Sequence, residues 1–238
     1  MTETTTKGSS LGVAVMGGVI GAVLTAAVLV FATPQFLSRS IVRQGMLADP
    51  QILVEASDAL RDRQTAPLIA SSRSALETPF ASSWKGAEKP EVVLVEFYDY
   101  ACPYCKASNP HVDRLLKEKP GLRVVYRELP ILGQDSVEAA RLSLAASKAG
   151  RFRQFHDALY AAGRPAPDTN AAAARVANIA PTPGQDPAIE AELKRNFEIA
   201  SRLGATGTPL FVVGDRVLNG AVGYDALKQA IEAASKKS

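Results

Sequence analysis

Hydrophobic and polar positions divide the 238-residue chain into an uncharged run, a helical stretch, and a segment where strand and helix periods alternate. From Leu11 to Thr33 there is no charge, and Val, Leu, Ala and Gly dominate. About 20 apolar residues suffice to cross a bilayer, so residues 11–33 read as a transmembrane anchor behind a polar cytoplasmic tail, residues 1–10. The other reading is a signal sequence ending near Val30-Phe31-Ala32, although the apolar core of a signal usually spans only about 7–15 residues. Lys7 flanks the run on one side and Arg39 and Arg43 flank it on the other. The positive-inside rule therefore says little about orientation.

Residues 35–65 carry a helical period. Phe36, Leu37, Ile41, Val42 and Leu47 form one stripe, and Ile52, Leu53, Ala56 and Leu60 form another. Between them, Asp49-Pro50 reads as a cap followed by proline at the first helical position. The segment is either a spacer or an oligomerisation element. Residues 64–90, rich in Ser and Ala, read as a linker, with Phe80 and Trp84 as docking residues.

The period then changes. Val92-Val93-Leu94-Val95-Glu96-Phe97-Tyr98 is a nearly continuous apolar run, the signature of a buried central strand. A helix follows from about residue 103 to Lys117, with Val112, Leu115 and Leu116 facing the sheet and Pro120-Gly121 ending it. Leu122 to Arg127 alternates loosely as a strand. The next strand, Leu210-Phe211-Val212-Val213, lies more than 80 residues on, far more than one crossover helix needs. Helical patterns fill this gap. Val137, Ala140, Leu144 and Ala145 make one face; Phe152, Phe155 and Leu159 make another. Asp186-Pro187 caps a third, with Ile189, Leu193, Phe197 and Ala200. Gly214-Asp215 reads as a hairpin turn into Arg216-Val217-Leu218. Ala226, Leu227, Ala230, Ile231 and Ala234 close the chain as an amphipathic helix. The expected fold is α/β over residues 66–235, with a helical insertion at about 134–203, preceded by a transmembrane helix and a helical segment.

The chemistry sits where the central strand meets its helix. Cys102 and Cys105, the chain's two cysteines, flank Pro103 and Tyr104. A cysteine at a helix N-terminus faces free N–H groups and the positive end of the dipole, which favours its thiolate. Pro103 fits just inside the helix start, where a missing N–H costs little. A strand, a Cys-x-x-Cys turn and a helix form a redox arrangement. Half a zinc site and a structural disulfide are the alternatives, but zinc needs two more ligands, and His111 and His156 lack ligand spacing. Both histidines read as ordinary helix residues, as Lys236-Lys237 reads as a solvated tail. Cys102 is the expected nucleophile and Cys105 the resolving partner. Glu96 shares a strand face with Val92, Leu94 and Tyr98. A carboxylate there either becomes neutral or serves a purpose, unless it reaches solvent at a strand edge.

These stretches resemble the DsbA-like thiol–disulfide oxidoreductases of the bacterial envelope, within the thioredoxin superfamily. The resemblance rests on Glu96 to Lys106, on Arg153-Gln154-Phe155-His156-Asp157-Ala158-Leu159-Tyr160, and on Gly204-Ala205-Thr206-Gly207-Thr208-Pro209. It implies a thioredoxin fold, and it implies that Glu96, six residues before the nucleophile, relays protons to Cys105. It also implies that Thr208-Pro209 is a cis-proline loop whose proline faces the disulfide while the preceding backbone pairs with extended substrate. Threonine there is common among isomerases of the superfamily as well. The 35–65 segment resembles that of the copper-sensitivity suppressor (ScsC-like) subgroup, where it carries oligomerisation in some members.

Composition narrows this further. Apolar content of 47% and charged content of 21% are globular values, and a net charge of +3 gives no reason to expect nucleic acid. The expected protein is an inner-membrane, single-pass disulfide oxidoreductase with its catalytic domain in the periplasm. It needs no metal and no organic cofactor. Its partners are cysteine-containing envelope proteins and a membrane redox partner, with a homo-oligomer through residues 35–65 as a further expectation. One alternative is an isomerase or reductase kept reduced by a membrane electron donor. Another is a thiol protein binding Cu(I), which prefers soft sulfur, although three methionines and no Met- or His-rich tract give it little support.

Overall fold

The computed structural model describes residues 33–182 and 184–236, with side chains from residue 41 onward. The anchor expected at residues 11–33 and the tail at 1–10 lie outside the described residues, apart from Thr33. No described helix is long and apolar enough to cross a membrane. The chain divides into two units, residues 1–59 and 60–238.

The described part of the first unit is helical. Helix α1 spans Thr33–Ala48, and α2 (Gln51–Glu77) begins here. Asp49 caps α2 by accepting from the Gln51 amide at 3.1 Å. Ile41, Val42, Leu47, Ile52, Leu53 and Val54 are all exposed.

In the second unit a mixed five-stranded sheet has the order β1-β3-β2-β4-β5. The strands are β1 (Trp84–Gly86), β2 (Val92–Tyr98), β3 (Leu122–Glu128), β4 (Leu210–Val213) and β5 (Arg216–Asn219). β2 is central, parallel to β3 and antiparallel to β4. A parallel pair needs a crossover, and α3 (Pro103–Glu118) supplies it. Four helices, α4 (Gln134–Lys148), α5 (Phe152–Ala162), α6 (Pro167–Val176) and α7 (Pro187–Arg202), are inserted between β3 and β4. α8 (Gly223–Ser235) follows the β4–β5 hairpin.

Alternation along β2 sorts the core. Val92, Leu94 and Tyr98 belong to a cluster with α3, α5 and α8; Val95 and Phe97 belong to a second with Ile69, Leu76, Ile199 and Leu203. The expected linker at 64–90 is therefore corrected. Its first part is the end of α2, which buries Thr65, Ile69 and Leu76 under the sheet, and its second part contains β1. Trp84 is half-buried, with the guanidinium groups of Arg123 and Arg153 over its ring. A second correction concerns α7. Phe197, read as part of its apolar face, is 60% exposed, while Glu192 and Asn196 are buried.

That inversion has an electrostatic cause. Arg127 is buried and all five of its N–H groups find acceptors. Nε donates to Leu76 O at 3.0 Å, and one terminal nitrogen donates to Glu192 (2.8 Å) and Asn196 (2.9 Å). The other donates to Ala75 O and to Thr78 O at 2.7 Å. The guanidinium thus meets carbonyls left unpaired at the C-terminal end of α2, where the helix dipole favours a cation. Arg127→Met should destabilise the fold by about 3–5 kcal/mol, because the buried Glu192 loses its buried partner and keeps only the half-exposed Arg195 at 3.4 Å. Urea unfolding should show a second change, Glu192→Leu, recovering part of that loss.

Candidate active site

β2 ends at Tyr98, and the chain turns through Asp99, Tyr100 and Ala101 into α3. Cys102 is the N-cap residue of α3 and Pro103 its first residue, and the Cys102 side chain accepts no hydrogen bond from the amides of the first turn. The Cys102 amide donates to Asp99 O at 3.0 Å. Its side chain is 4% exposed, and Sγ donates to Thr208 O at 3.1 Å. The Thr208–Pro209 bond is cis, and Pro209 is buried. Thr208 and Pro209, 106 and 107 residues along the chain from Cys102, are thus brought against the thiol. Tyr104 is 64% exposed beside it.

Cys105, one turn into α3, is fully buried. Burial pushes its thiol far above its ordinary value, and the Glu96 carboxyl pushes it further. Glu96 is 1% exposed in β2, paired across the sheet with Tyr126 and Phe211. It does not reach solvent at an edge. Neither carboxyl oxygen has a hydrogen-bond partner among the described residues, and burial raises its pKa to about 8. Lys85 opposes that rise and Asp113 adds to it. β1 brings Lys85 to this place, with Nζ 2.7 Å from Asp157, 3.9 Å from Asp113, and over the Tyr126 ring.

A second buried polar group lies beside the turn. The Tyr98 hydroxyl bonds the Glu128 carboxyl and lies 3.1 Å from the Tyr100 hydroxyl. Tyr100 reaches Ser143 Oγ at 2.9 Å and His156 Nδ1 at 3.3 Å. Burial raises Glu128 well above the ordinary carboxylate value and lowers His156 well below the ordinary imidazole value, so each is pushed towards its neutral form. His156 packs among Tyr126, Tyr160 and Phe152 at ring separations of 4.8–5.2 Å, while His111 is half-buried on α3 away from this group.

Sequence reasoning singled out Cys102, Cys105, Pro103, Tyr104, Glu96, Thr208 and Pro209. It passed over Asp99, Lys85, Glu128 and Tyr160. Asp99 was open to the argument used for Glu96, a carboxylate inside an apolar run. Lys85 and Glu128 carry no local signal, because only strand pairing places them.

The model of the DsbA-like thioredoxin domain matches residues 93–232, more than half of the chain. A periplasmic thioredoxin-like protein of Salmonella enterica serovar Typhimurium is 30% identical, with a TM-score of 0.64, over 69% of this chain and 95% of that one. Proteus mirabilis ScsC in a transitional conformation is 30% identical, with a TM-score of 0.67, over 86% of this chain and 96% of that one. A curated relative, the Na(+)/H(+) antiporter NhaA 1 of Salinispora arenicola, is 30% identical over 171 residues, which are 63% of this chain and 24% of the relative. The chain thus spans about a quarter of the length of that curated relative. With the cysteine pair at the start of α3, the cis proline against it and a helical insertion in the sheet, the chain belongs to the DsbA-like thioredoxin domain family.

Proposed function

We propose that the chain exchanges disulfides with cysteine-containing proteins through Cys102 and Cys105. The observation that carries this reading is the asymmetry of the pair. Cys102 stands at the helix N-terminus against the Thr208–Pro209 backbone, while Cys105 is buried beside an acid whose pKa is about 8.

In the oxidising direction, a substrate thiolate attacks Cys102 Sγ of the Cys102–Cys105 disulfide. The S–S bond breaks and Cys105 leaves with the electron pair. A thiolate is costly at that buried place, and Glu96, protonated at neutral pH, supplies the proton. A second substrate thiolate then attacks the substrate sulfur of the mixed disulfide and expels the Cys102 thiolate. The substrate loses two electrons and the pair gains them. Turnover requires a redox partner that re-forms the disulfide, and a membrane partner fits an anchored protein. The anchor reading rests on the uncharged run at residues 11–33. A periplasmic catalytic domain is supported by the periplasmic Salmonella relative.

Exposed apolar side chains at Ile41, Val42, Leu47, Ile52, Leu53 and Leu60 favour a second feature, association through residues 35–65. An amphipathic helix normally hides such a stripe, and a symmetric copy is one way to cover it. Several sites facing one substrate suit an isomerase.

Three outcomes test the reading. Cys102→Ser should abolish exchange, and Cys105→Ser should accumulate mixed disulfides visible on non-reducing gels; faster alkylation of Cys105 than of Cys102 by iodoacetamide at pH 7 would reverse the assignment. Glu96→Gln should slow the resolving step and change the pH dependence of stability. A carboxyl raised from 4.5 to about 8 binds a proton in the folded state that the unfolded chain has lost. Stability should therefore fall from about pH 4.5 to pH 8, by roughly 5 kcal/mol at 1.36 kcal/mol per pH unit. Urea unfolding of the reduced protein at pH 5, 7 and 9 should show that fall flattened in Glu96→Gln. Finally, light scattering should find a chain beginning at residue 35 associated and one beginning at residue 60 monomeric. Residue 60 is the appropriate cut, because removing the rest of α2 would strip Ile69 and Leu76 from the core.

A further inference from the structure

The redox turn is fastened to the insertion at two consecutive residues. Asp99 is 1% exposed, and its carboxyl accepts hydrogen bonds from both sides. Oδ1 accepts from the Ala101 amide at 2.8 Å, within the turn, and from Ser136 Oγ on α4. Oδ2 accepts from the amides of Ile131 at 2.8 Å and Leu132 at 2.9 Å, in the loop that leads into α4. Tyr100 is held to the same helix, with its hydroxyl 2.9 Å from Ser143 Oγ.

The backbone of Asp99 serves both cysteines. Its carbonyl accepts from the Cys102 amide at 3.0 Å, which sets the nucleophile at the start of α3. At Cys105, burial and then the Glu96 carboxyl push the thiol up, and a hydrogen bond from the Asp99 backbone pulls it down. A bond of that kind favours the thiolate that must leave when the disulfide opens. The carboxyl makes its own hydrogen bonds to the turn and to the insertion. It therefore fixes the backbone that meets the pair.

We propose that Asp99 is a positioning residue through which the insertion sets the balance between the disulfide and the dithiol at Cys102 and Cys105. This rests on the disulfide-exchange reading and adds a control on it. In the disulfide form, the bond between the cysteines closes a ring through Pro103 and Tyr104 and holds the two ends of the turn by itself. With both cysteines free, as they stand in the structure, no covalent bond does so, and the hydrogen bonds of Asp99 hold the turn instead. The tether thus stabilises the dithiol more than the disulfide. A pair whose reduced form is stabilised is the stronger oxidant.

The test is the equilibrium of the full chain with glutathione. Two glutathione thiols give two electrons and two protons to the Cys102–Cys105 disulfide and become glutathione disulfide. Asp99→Ala keeps the backbone and removes both acceptor oxygens. It should shift the equilibrium constant about tenfold towards the protein disulfide, the scale of one hydrogen bond to a charged group. Ser136→Ala removes a single donor and should shift the constant about threefold in the same direction. Adding Ser136→Ala to Asp99→Ala should change it no further, because the hydroxyl has by then lost its acceptor. A carboxyl acting only as a nearby negative charge predicts the opposite sign, since its removal would favour the Cys105 thiolate and so the dithiol. A shift in that direction, an unchanged constant in either single variant, or a full further loss in the double variant would overturn the proposal.

Should Asp99→Ala fail to fold, Ser136→Ala and amide hydrogen exchange decide the matter. In the reduced natural protein the Ala101, Ile131 and Leu132 amides should exchange about 100-fold slower than in a free peptide; free-peptide rates would overturn the tether. A natural protein whose cysteines form no disulfide at any glutathione ratio refutes the exchange reading, and the tether's role falls with it. One that forms the disulfide while Ser136→Ala leaves the constant unmoved refutes the tether alone.

Discussion

A carboxyl group without a hydrogen-bond partner stands in the central strand of the sheet. β2 is paired on both edges and packed on both faces, so the Glu96 side chain is buried. Its neutral form is the one the fold tolerates, up to about pH 8. The same burial keeps Cys105 a thiol, and the Glu96 carboxyl adds to the cost of charging it. β1 is only three residues long, yet it matters here, because it carries the cation that opposes the rise at Glu96. Lys85 is held by the acids Asp157 and Asp113, which belong to α5 and α3. An edge strand, the insertion and the redox helix thus meet at one ammonium group.

The last three residues of β3 divide the remaining work by strand alternation. Tyr126 pairs with Glu96 and lies under Lys85. Arg127 points to the other face, where it joins the end of α2 to α7. Glu128 pairs with Tyr98 and closes the polar group that reaches Ser143 on α4 and Tyr100 ahead of the redox turn. The insertion is therefore attached at the very residues that lead into the cysteine pair. This part of its attachment is polar, and burial favours the neutral forms of Glu128 and His156. Buried polar groups that satisfy one another specify geometry better than an apolar seam of equal size.

Much of this was legible in the residues. The apolar run at 92–98, the Cys-Pro-Tyr-Cys turn and the hairpin at Gly214-Asp215 are local patterns, and each appears where its pattern stands. What escaped was set by distant partners. α6 contains Asn170-Ala171-Ala172-Ala173-Ala174, which has no apolar period to read. β1 is too short for alternation and exists through its pairing with β3. Residues 64–77 carry few apolar positions, yet Ile69 and Leu76 suffice to dock α2 because the sheet above them is already apolar. Phe197 illustrates the opposite failure. Its spacing fits a stripe, but the buried face of α7 is built around Arg127, so Glu192 and Asn196 take the inward places.

The contact between Cys102 and Thr208 links these parts to the reaction. As a thiol, Cys102 gives its S–H to the Thr208 carbonyl at 3.1 Å. Any S–S bond formed at Cys102 removes that hydrogen and leaves the carbonyl open, whether the bond is to Cys105 or to a substrate. An extended segment approaching the oxidised site can then offer its own backbone N–H to the same oxygen. When the substrate disulfide is released, Cys102 leaves as a thiolate, and only after taking a proton does it compete for that acceptor. The S–H group is a weak donor, and an ordinary hydrogen bond contributes only about 0.5–1.5 kcal/mol net, so the bias is modest. Its sign is nevertheless useful to an oxidant: the site offers one more acceptor to a substrate before the transfer than after it.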